Sequence, residues 1–137
     1  MRFMNVMIPG PYAEAGVLPD PEAFAAMGRY NEELRKAGVL LAVDGFQSSA
    51  KGARVSFATG KPVVTDGPFT EAKEVIGGYW IIQVKSKEEA VAWATRCPAL
   101  KGDTIEVRQI AELTDLPPEL QNVASRRDVV REATKKS

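Results

Sequence analysis

Two helical patterns dominate the sequence, and each lies between two apolar strand patterns. The first helical pattern covers residues 20–37 and the second covers residues 86–97. Two further short strand patterns stand between these units, as a hairpin insertion. Two split strand–helix–strand units predict a four-stranded antiparallel sheet with both helices on one face, which is the ferredoxin-like arrangement of the α+β class.

Local capping signals mark the ends of both helices. Asp20 precedes Pro21, an order typical of an N-cap residue and the first helical position. Gly38 follows the first pattern and is predicted to end that helix in the left-handed conformation. Ser86 and Glu89 form a capping box, which predicts the start of the second helix.

Apolar residues fill both faces of the predicted sheet. The strand patterns cover residues 2–8, 39–43, 53–58, 62–65, 78–84 and 104–110. The sheet face without helices is expected to take its apolar side chains from Phe3, Met7, Tyr79 and Ile81. Such a face is most simply buried against a second copy of the chain, so a homodimer is expected.

Charge and composition exclude several classes of function. The 137 residues include 18 basic and 18 acidic side chains and no histidine. A balanced charge provides no field to attract nucleic acid. Without histidine, the usual catalytic triads and most zinc sites are ruled out, and acid–base chemistry must use Asp, Glu, Lys or Tyr. No metal site and no cofactor are predicted.

The sequence contains no signal for secretion or for a membrane span. The first apolar run is interrupted at Pro9, and no window approaches about 20 apolar residues. A single cysteine, Cys97, permits no intrachain disulfide, which is consistent with a reducing compartment. The expected location is the cytoplasm. Cys97 itself is interpreted as a small buried apolar residue and not as a nucleophile.

A segment rich in turn formers and charges, residues 66–80, is the strongest candidate for a functional site. Asp66 is followed by Gly67 and Pro68, so its carboxylate could hold the turn by accepting backbone N–H groups. Alternatively, it could face a pocket and act as a catalytic general base. Both interpretations remain open at the level of sequence.

Further candidate ligand-binding residues surround this segment in the sequence or in the predicted fold. They are Asn31, Glu71, Lys73, Glu74, Tyr79 and Arg108. Lys73 could bind a substrate carboxylate while Glu71 or Glu74 accepts a proton; the alternative is an ordinary solvated turn. Asn31 lies at the border of the apolar stripe of the first helix, where its amide requires hydrogen-bond partners.

Five motifs resemble the DGPF branch of the YCII-related family. They are Ala37–Leu40, Thr65–Glu74, Gly77–Tyr79, Glu88–Ala94 and Glu106–Arg108. The resemblance covers residues 1 to about 110. It implies a ferredoxin-like domain that pairs into a dimeric α/β barrel. The pattern changes from Ala111, with a Pro-Pro break at 117–118 and a basic end, so the chain is expected to divide into a domain at residues 1–112 and a C-terminal extension at 113–137, a short helix or a partly ordered tail.

The same resemblance bears on function. Members of the wider family resemble small enzymes built around a His–Asp pair, but this chain has no histidine. Asn31 falls near the histidine position, and Asp66 compares loosely with the aspartate. Genes of DGPF proteins often neighbour alternative sigma factors, which implies a regulatory role. Three functions stay open: a binding module for a small organic ligand in a cavity lined by the DGPF loop, a small enzyme, and a structural dimer.

Overall fold

The computed structural model describes residues 1–69 and 75–123. The six strands are β1 (Arg2–Ile8), β2 (Leu40–Gly45), β3 (Ala53–Ser56), β4 (Val63–Asp66), β5 (Gly78–Gln83) and β6 (Thr104–Gln109). The two α-helices are α1 (Pro21–Lys36) and α2 (Lys87–Thr95), and Ser49–Lys51 and Leu113–Asp115 form single 3₁₀ turns. The described part of the chain also has helical residues at 118–123.

The strands form two separate antiparallel sheets. The main sheet has four strands in the order β2-β5-β1-β6, while β3 and β4 pair only with each other. The central pair, β1 and β5, aligns Phe3 with Ile82 and Asn5 with Trp80. This order and the position of the β3–β4 hairpin confirm the predicted α+β ferredoxin-like fold.

The capping residues accept the hydrogen bonds expected of N-caps, but the reciprocal bond of the predicted capping box differs: the Glu89 side chain accepts the N–H of Lys85 and not that of Ser86. Asp20 Oδ1 accepts the backbone N–H of Ala23 at 2.8 Å, at the start of α1. Ser86 Oγ accepts the backbone N–H of Glu89 at 3.1 Å, at the start of α2. Gly38 has a φ of 75°, a left-handed conformation that glycine adopts without the steric cost of a Cβ. Local sequence therefore sets where α1 begins and ends and where α2 begins.

Both helices pack on the same face of the main sheet. Phe3 and Ile82 from the central strands contact Leu34 of α1 and Ala90 of α2 in one buried cluster, and each of these four residues is at most 1% exposed. Burial of this apolar surface is the main stabilising contribution to such a fold. Tyr30 belongs to the same cluster and donates its hydroxyl hydrogen to the carbonyl of Trp93 at 2.7 Å.

The prediction for the other sheet face was wrong for two of its four residues. Phe3 and Met7 lie on the helix-covered face, because the register places Phe3 opposite Ile82 and not opposite Ile81. The face without helices, termed the open face, instead carries two rows of side chains across the sheet. These rows are Ala42, Ile81, Met4 and Arg108, and Asp44, Tyr79, Val6 and Glu106.

The chain beyond β6 is attached to the first strand. Arg2 donates from Nε to Glu112 Oε1 at 2.6 Å and from its terminal nitrogen to Oε2 at 3.1 Å. The expected C-terminal extension thus begins close to β1, and its residues from 124 onward lie outside the described part. Among the described helices, none has the length and apolar character needed to cross a membrane.

Candidate functional site

Asp66 is the last residue of β4 and lies at the surface. It pairs with Ala53 of β3, and its side chain is exposed. Among the described residues, no hydrogen bond to the Asp66 carboxylate is present, so no described N–H group of the turn is bound by it. Its backbone ends the hairpin directly before the cis peptide bond between Gly67 and Pro68. The carboxylate is therefore not engaged by any described part of its own turn.

Gly67 is positioned by close backbone contact. Its N–H donates to the carbonyl of Gly52 at 2.9 Å. A Cβ atom at this position would lie 1.7 Å from the carbonyl oxygen of Ser49, far inside van der Waals contact. The glycine of the DGPF motif is thus required for the approach of this turn to the 3₁₀ turn Ser49–Lys51.

A buried serine connects the DGPF turn to the loop after β1. Ser49 is 7% exposed, and its hydroxyl donates to Glu14 Oε2 at 2.6 Å. Glu14 Oε1 also accepts the backbone N–H of Ser49 at 3.1 Å, and the Ser49 hydroxyl oxygen accepts the N–H of Phe69 at 3.0 Å. Sequence reasoning missed this link, because Glu14 and Ser49 belong to no recognisable motif.

Three of the sequence-predicted site residues cannot be placed. Glu71, Lys73 and Glu74 lie at 70–74, outside the described residues. Their proposed roles in binding or proton transfer stay predictions.

Asn31 is engaged with the core of the sheet. Its Oδ1 accepts the indole N–H of Trp80 at 2.7 Å, and Trp80 is 5% exposed. The Tyr30 ring meets the Trp80 ring edge to face, with centroids 5.8 Å apart. Asn31 thus satisfies a buried donor that would otherwise lack a partner. The sequence placed this amide correctly at the border of the apolar stripe but did not identify Trp80 as its partner.

Tyr79 and Arg108 both lie on the open face, in adjacent rows. The Tyr79 hydroxyl donates to Asp44 Oδ2 at 2.8 Å. This hydrogen bond is the largest cause of the raised pKa of Tyr79, and burial is a smaller cause. Arg108 forms a long contact of 3.4 Å with Glu106 Oε2 on its own strand. The predicted site residues therefore occupy three places: the hairpin end (Asp66), the open face, and the helix side of the sheet (Asn31).

A concavity beside α1, termed the main cavity, has a volume of about 570 Å³. Its wall comes from the 9–19 loop, the first turns of α1, the 46–51 segment and the 98–103 loop. Gly77, in the segment of residues 66–80 (termed the DGPF segment), also lines it. Most of the lining side chains are apolar, among them Val17, Leu18, Phe24 and Phe46. The sequence analysis identified no candidate residue in the 9–19 segment.

A smaller recess of about 210 Å³, termed the edge recess, adjoins the main cavity. The two share Met7, Met27 and Gly77. Asn31 and Tyr79 both line the edge recess. Two of the sequence-predicted ligand-binding residues therefore lie next to the main cavity.

Asp103 joins two walls of the main cavity. Its Oδ1 accepts the hydroxyl hydrogen of Tyr12 at 2.7 Å and the backbone N–H of Gly10 at 3.0 Å. Its Oδ2 accepts the N–H of Leu100 at 2.8 Å. The pKa of Tyr12 is raised to about 12, mainly by burial and to a smaller extent by the hydrogen bond to Asp103. Both polar groups are thus engaged in fixing the wall.

Among the described residues, neither a reactive thiol nor a cluster of metal ligands is present. Cys97 packs against the core, and burial, with a smaller contribution from Asp103, raises the pKa of its thiol to about 11. A thiol with this pKa is almost entirely protonated near neutral pH. Within the described ranges, no cluster of three or more His, Cys, Asp or Glu side chains could hold a metal ion.

The fold and the register of the sheet define an α+β protein of ferredoxin-like architecture with an apolar cavity beside its first helix. The family model of the YCII-related domain matches residues 1–114. The chain therefore belongs to the YCII-related family. A comparison with curated proteins found no match.

Proposed function

We propose that this protein binds a small, mainly apolar organic molecule in the main cavity. The observation that carries the proposal is the exposure of four large apolar side chains that line it: Val17 at 59%, Leu18 at 80%, Phe24 at 60% and Phe46 at 54%. Contiguous apolar surface exposed to water is a common property of binding sites. A volume of about 570 Å³ is within the range of small-molecule pockets.

The DGPF segment contributes to the wall of the main cavity and is hydrogen-bonded to the loop that forms another part of this wall. Gly77 contributes directly to the lining. Phe69 is tied through Ser49 to Glu14, whose neighbour Ala13 is a lining residue. In this proposal the DGPF segment positions the 9–19 wall, and a change in the segment alters ligand affinity without any contact to the ligand. Such a coupling suits a sensor in sigma-factor-linked regulation.

A homodimer formed through the open face is part of the same proposal. The open face presents Met4, Ile81 and Tyr79 side by side, and none of them is covered by a helix. A single layer of sheet with an apolar outer face is stabilised when a second copy covers it. None of these three residues lines the main cavity, whose wall includes the first turns of α1, so dimer formation through them leaves the cavity open.

Catalysis by Asp66 has weaker support than binding. Asp66 is not among the described residues that line the main cavity or the edge recess. A general base must come within hydrogen-bond reach of its proton, and the Asp66 carboxylate lines neither of these two recesses. Binding without turnover is therefore the function favoured here.

A titration with the neutral fluorophore 1-aminoanthracene tests the proposal. Ala23 lines the main cavity, so Ala23→Trp fills it, whereas Ala25→Trp places the same ring on the exposed side of α1 as a matched control. Saturable fluorescence enhancement is expected for the natural chain and for Ala25→Trp, with at least a tenfold loss of affinity in Ala23→Trp. Absence of saturable binding, or equal binding by both variants, would contradict the proposal.

A further inference from the structure

We propose that the ligand of the main cavity is an apolar monocarboxylic acid whose carboxylate pairs with Lys51 at the cavity mouth. This inference rests on the proposed binding function and specifies the chemical class of the ligand. It follows from two observations on the described cavity wall: Asp103 already accepts hydrogen bonds, whereas Lys51 makes no ion pair with a described residue.

Lys51 is the cation that the described cavity wall presents. It ends the 3₁₀ turn Ser49–Lys51 and lines the main cavity. Its side chain is exposed and makes no ion pair with any described residue. An ammonium group held beside apolar surface is suited to bind one anionic group while the apolar part of a ligand enters the cavity.

The acidic groups of the cavity wall and at the Ser49–Lys51 turn already accept hydrogen bonds. Asp103 accepts three hydrogen bonds, from Gly10, Tyr12 and Leu100. Glu14, which reaches the same 3₁₀ turn, uses both carboxylate oxygens on Ser49. A carboxylate that already accepts this many hydrogen bonds has few lone pairs left for a cationic ligand. The wall therefore favours an anion over a cation.

The number of cationic and hydrogen-bond-donating groups in the cavity wall indicates which class of anion can bind there. Phosphate sites in proteins combine several cations or backbone N–H groups to bind the doubly charged group. In the described wall, Lys51 is the only cationic side chain, and Tyr12 directs its hydroxyl hydrogen to Asp103. One cation at the rim of an apolar cavity matches a single negative charge on an apolar body. A carboxylic acid with a hydrocarbon tail has this shape and charge.

Competition between 1-aminoanthracene and two ligands of equal chain length tests the inference. Octanoate and 1-octanol share the same tail and differ in charge. For the natural chain, octanoate is expected to displace the probe about fivefold more tightly than 1-octanol, the size expected of a partly exposed ion pair. Lys51→Met should remove this preference, and Lys51→Glu should reverse it. Lys61→Met, in the exposed turn between β3 and β4, is the matched control and should retain it.

The outcomes separate this inference from the proposed function. Equal displacement by octanoate and 1-octanol would overturn the carboxylate inference while leaving the cavity function intact. A preference for octanoate that survives Lys51→Met would also overturn it, because the anion would then bind elsewhere. Failure of 1-aminoanthracene to bind at all would contradict the proposed function itself, and the inference with it.

Discussion

The indole N–H of Trp80 donates a 2.7 Å hydrogen bond to Asn31, and this bond connects the centre of the sheet to the wall of the edge recess. Asn31→Ala removes the acceptor and leaves a buried donor without a partner. The free energy of unfolding is expected to fall by about 1–3 kcal/mol.

A double-mutant cycle isolates this contribution. Trp80→Phe removes the donor, so the combined variant should show a coupling energy of about 1 kcal/mol in urea unfolding. Strictly additive effects would show that the hydrogen bond does not stabilise the fold and that Asn31 contributes through packing alone.

The DGPF turn should tolerate removal of the Asp66 carboxylate, but it should not tolerate a larger residue at Gly67. Asp66→Ala is expected to alter the free energy of unfolding by less than about 0.5 kcal/mol, because the side chain is exposed and has no described hydrogen bond. Gly67→Ala introduces a Cβ atom 1.7 Å from the Ser49 carbonyl oxygen, so a loss of more than about 2 kcal/mol is expected. Chemical denaturation of both variants measures the difference. A strongly destabilised Asp66→Ala would indicate that this carboxylate holds the turn after all.

Alkaline pH should unfold the protein as its tyrosines ionise. The pKa values of all three tyrosines are raised in the folded state: Tyr12 to about 12, Tyr30 mainly by burial, and Tyr79 mainly by its hydrogen bond to Asp44. Because the unfolded phenol has a pKa of about 10, the folded state retains protons that the unfolded state releases. The stability that Tyr12 contributes is fully present below pH 10 and is lost between about pH 10 and 12, and the contributions of Tyr30 and Tyr79 are lost in the same direction as the pH rises.

Absorbance at 295 nm and circular dichroism, recorded on the same samples, check this dependence. Tyrosinate absorbance is expected to rise together with the loss of helical signal. Tyr12→Phe should make the decrease of stability with pH less steep. Full ionisation near pH 10 with unchanged circular dichroism would contradict the assignment of these three environments.

Dimer formation should depend on the open face. Light scattering is expected to give twice the chain mass of 14.9 kDa for the natural protein. Ile81→Lys places a charge in the middle of the open face and should yield folded monomer. Val91→Lys, on the exposed side of α2, is the matched control and should remain dimeric. A natural chain that is monomeric at micromolar concentration would remove the dimer from the proposal.

The predictability of this structure from its sequence differs between its parts. Asp20, Gly38 and Ser86 act through neighbouring backbone groups, so the helix boundaries could be identified locally. The sheet face on which Phe3 lies could not be predicted in this way, because it depends on the register between β1 and β5. A shift of that register by one residue moves every side chain of the strand to the opposite face. The need of Asn31 for a hydrogen-bond partner could be predicted, because a border amide needs partners, but its partner Trp80 could not.

The main cavity was beyond sequence reasoning for a different reason. Its wall comes from segments around Tyr12, Ala23, Ser48 and Asp103, which are far apart in the chain and share no periodic pattern. Only the packed fold brings them together.

A nuclear magnetic resonance titration of the ¹⁵N-labelled chain with 1-aminoanthracene tests the central claim most directly, because ring currents report where the probe lies. The account predicts the largest amide shifts at Ala13, Ala23, Ser48 and Gly77, around the main cavity. Shifts confined to Ile81 and its neighbours on the open face would contradict it.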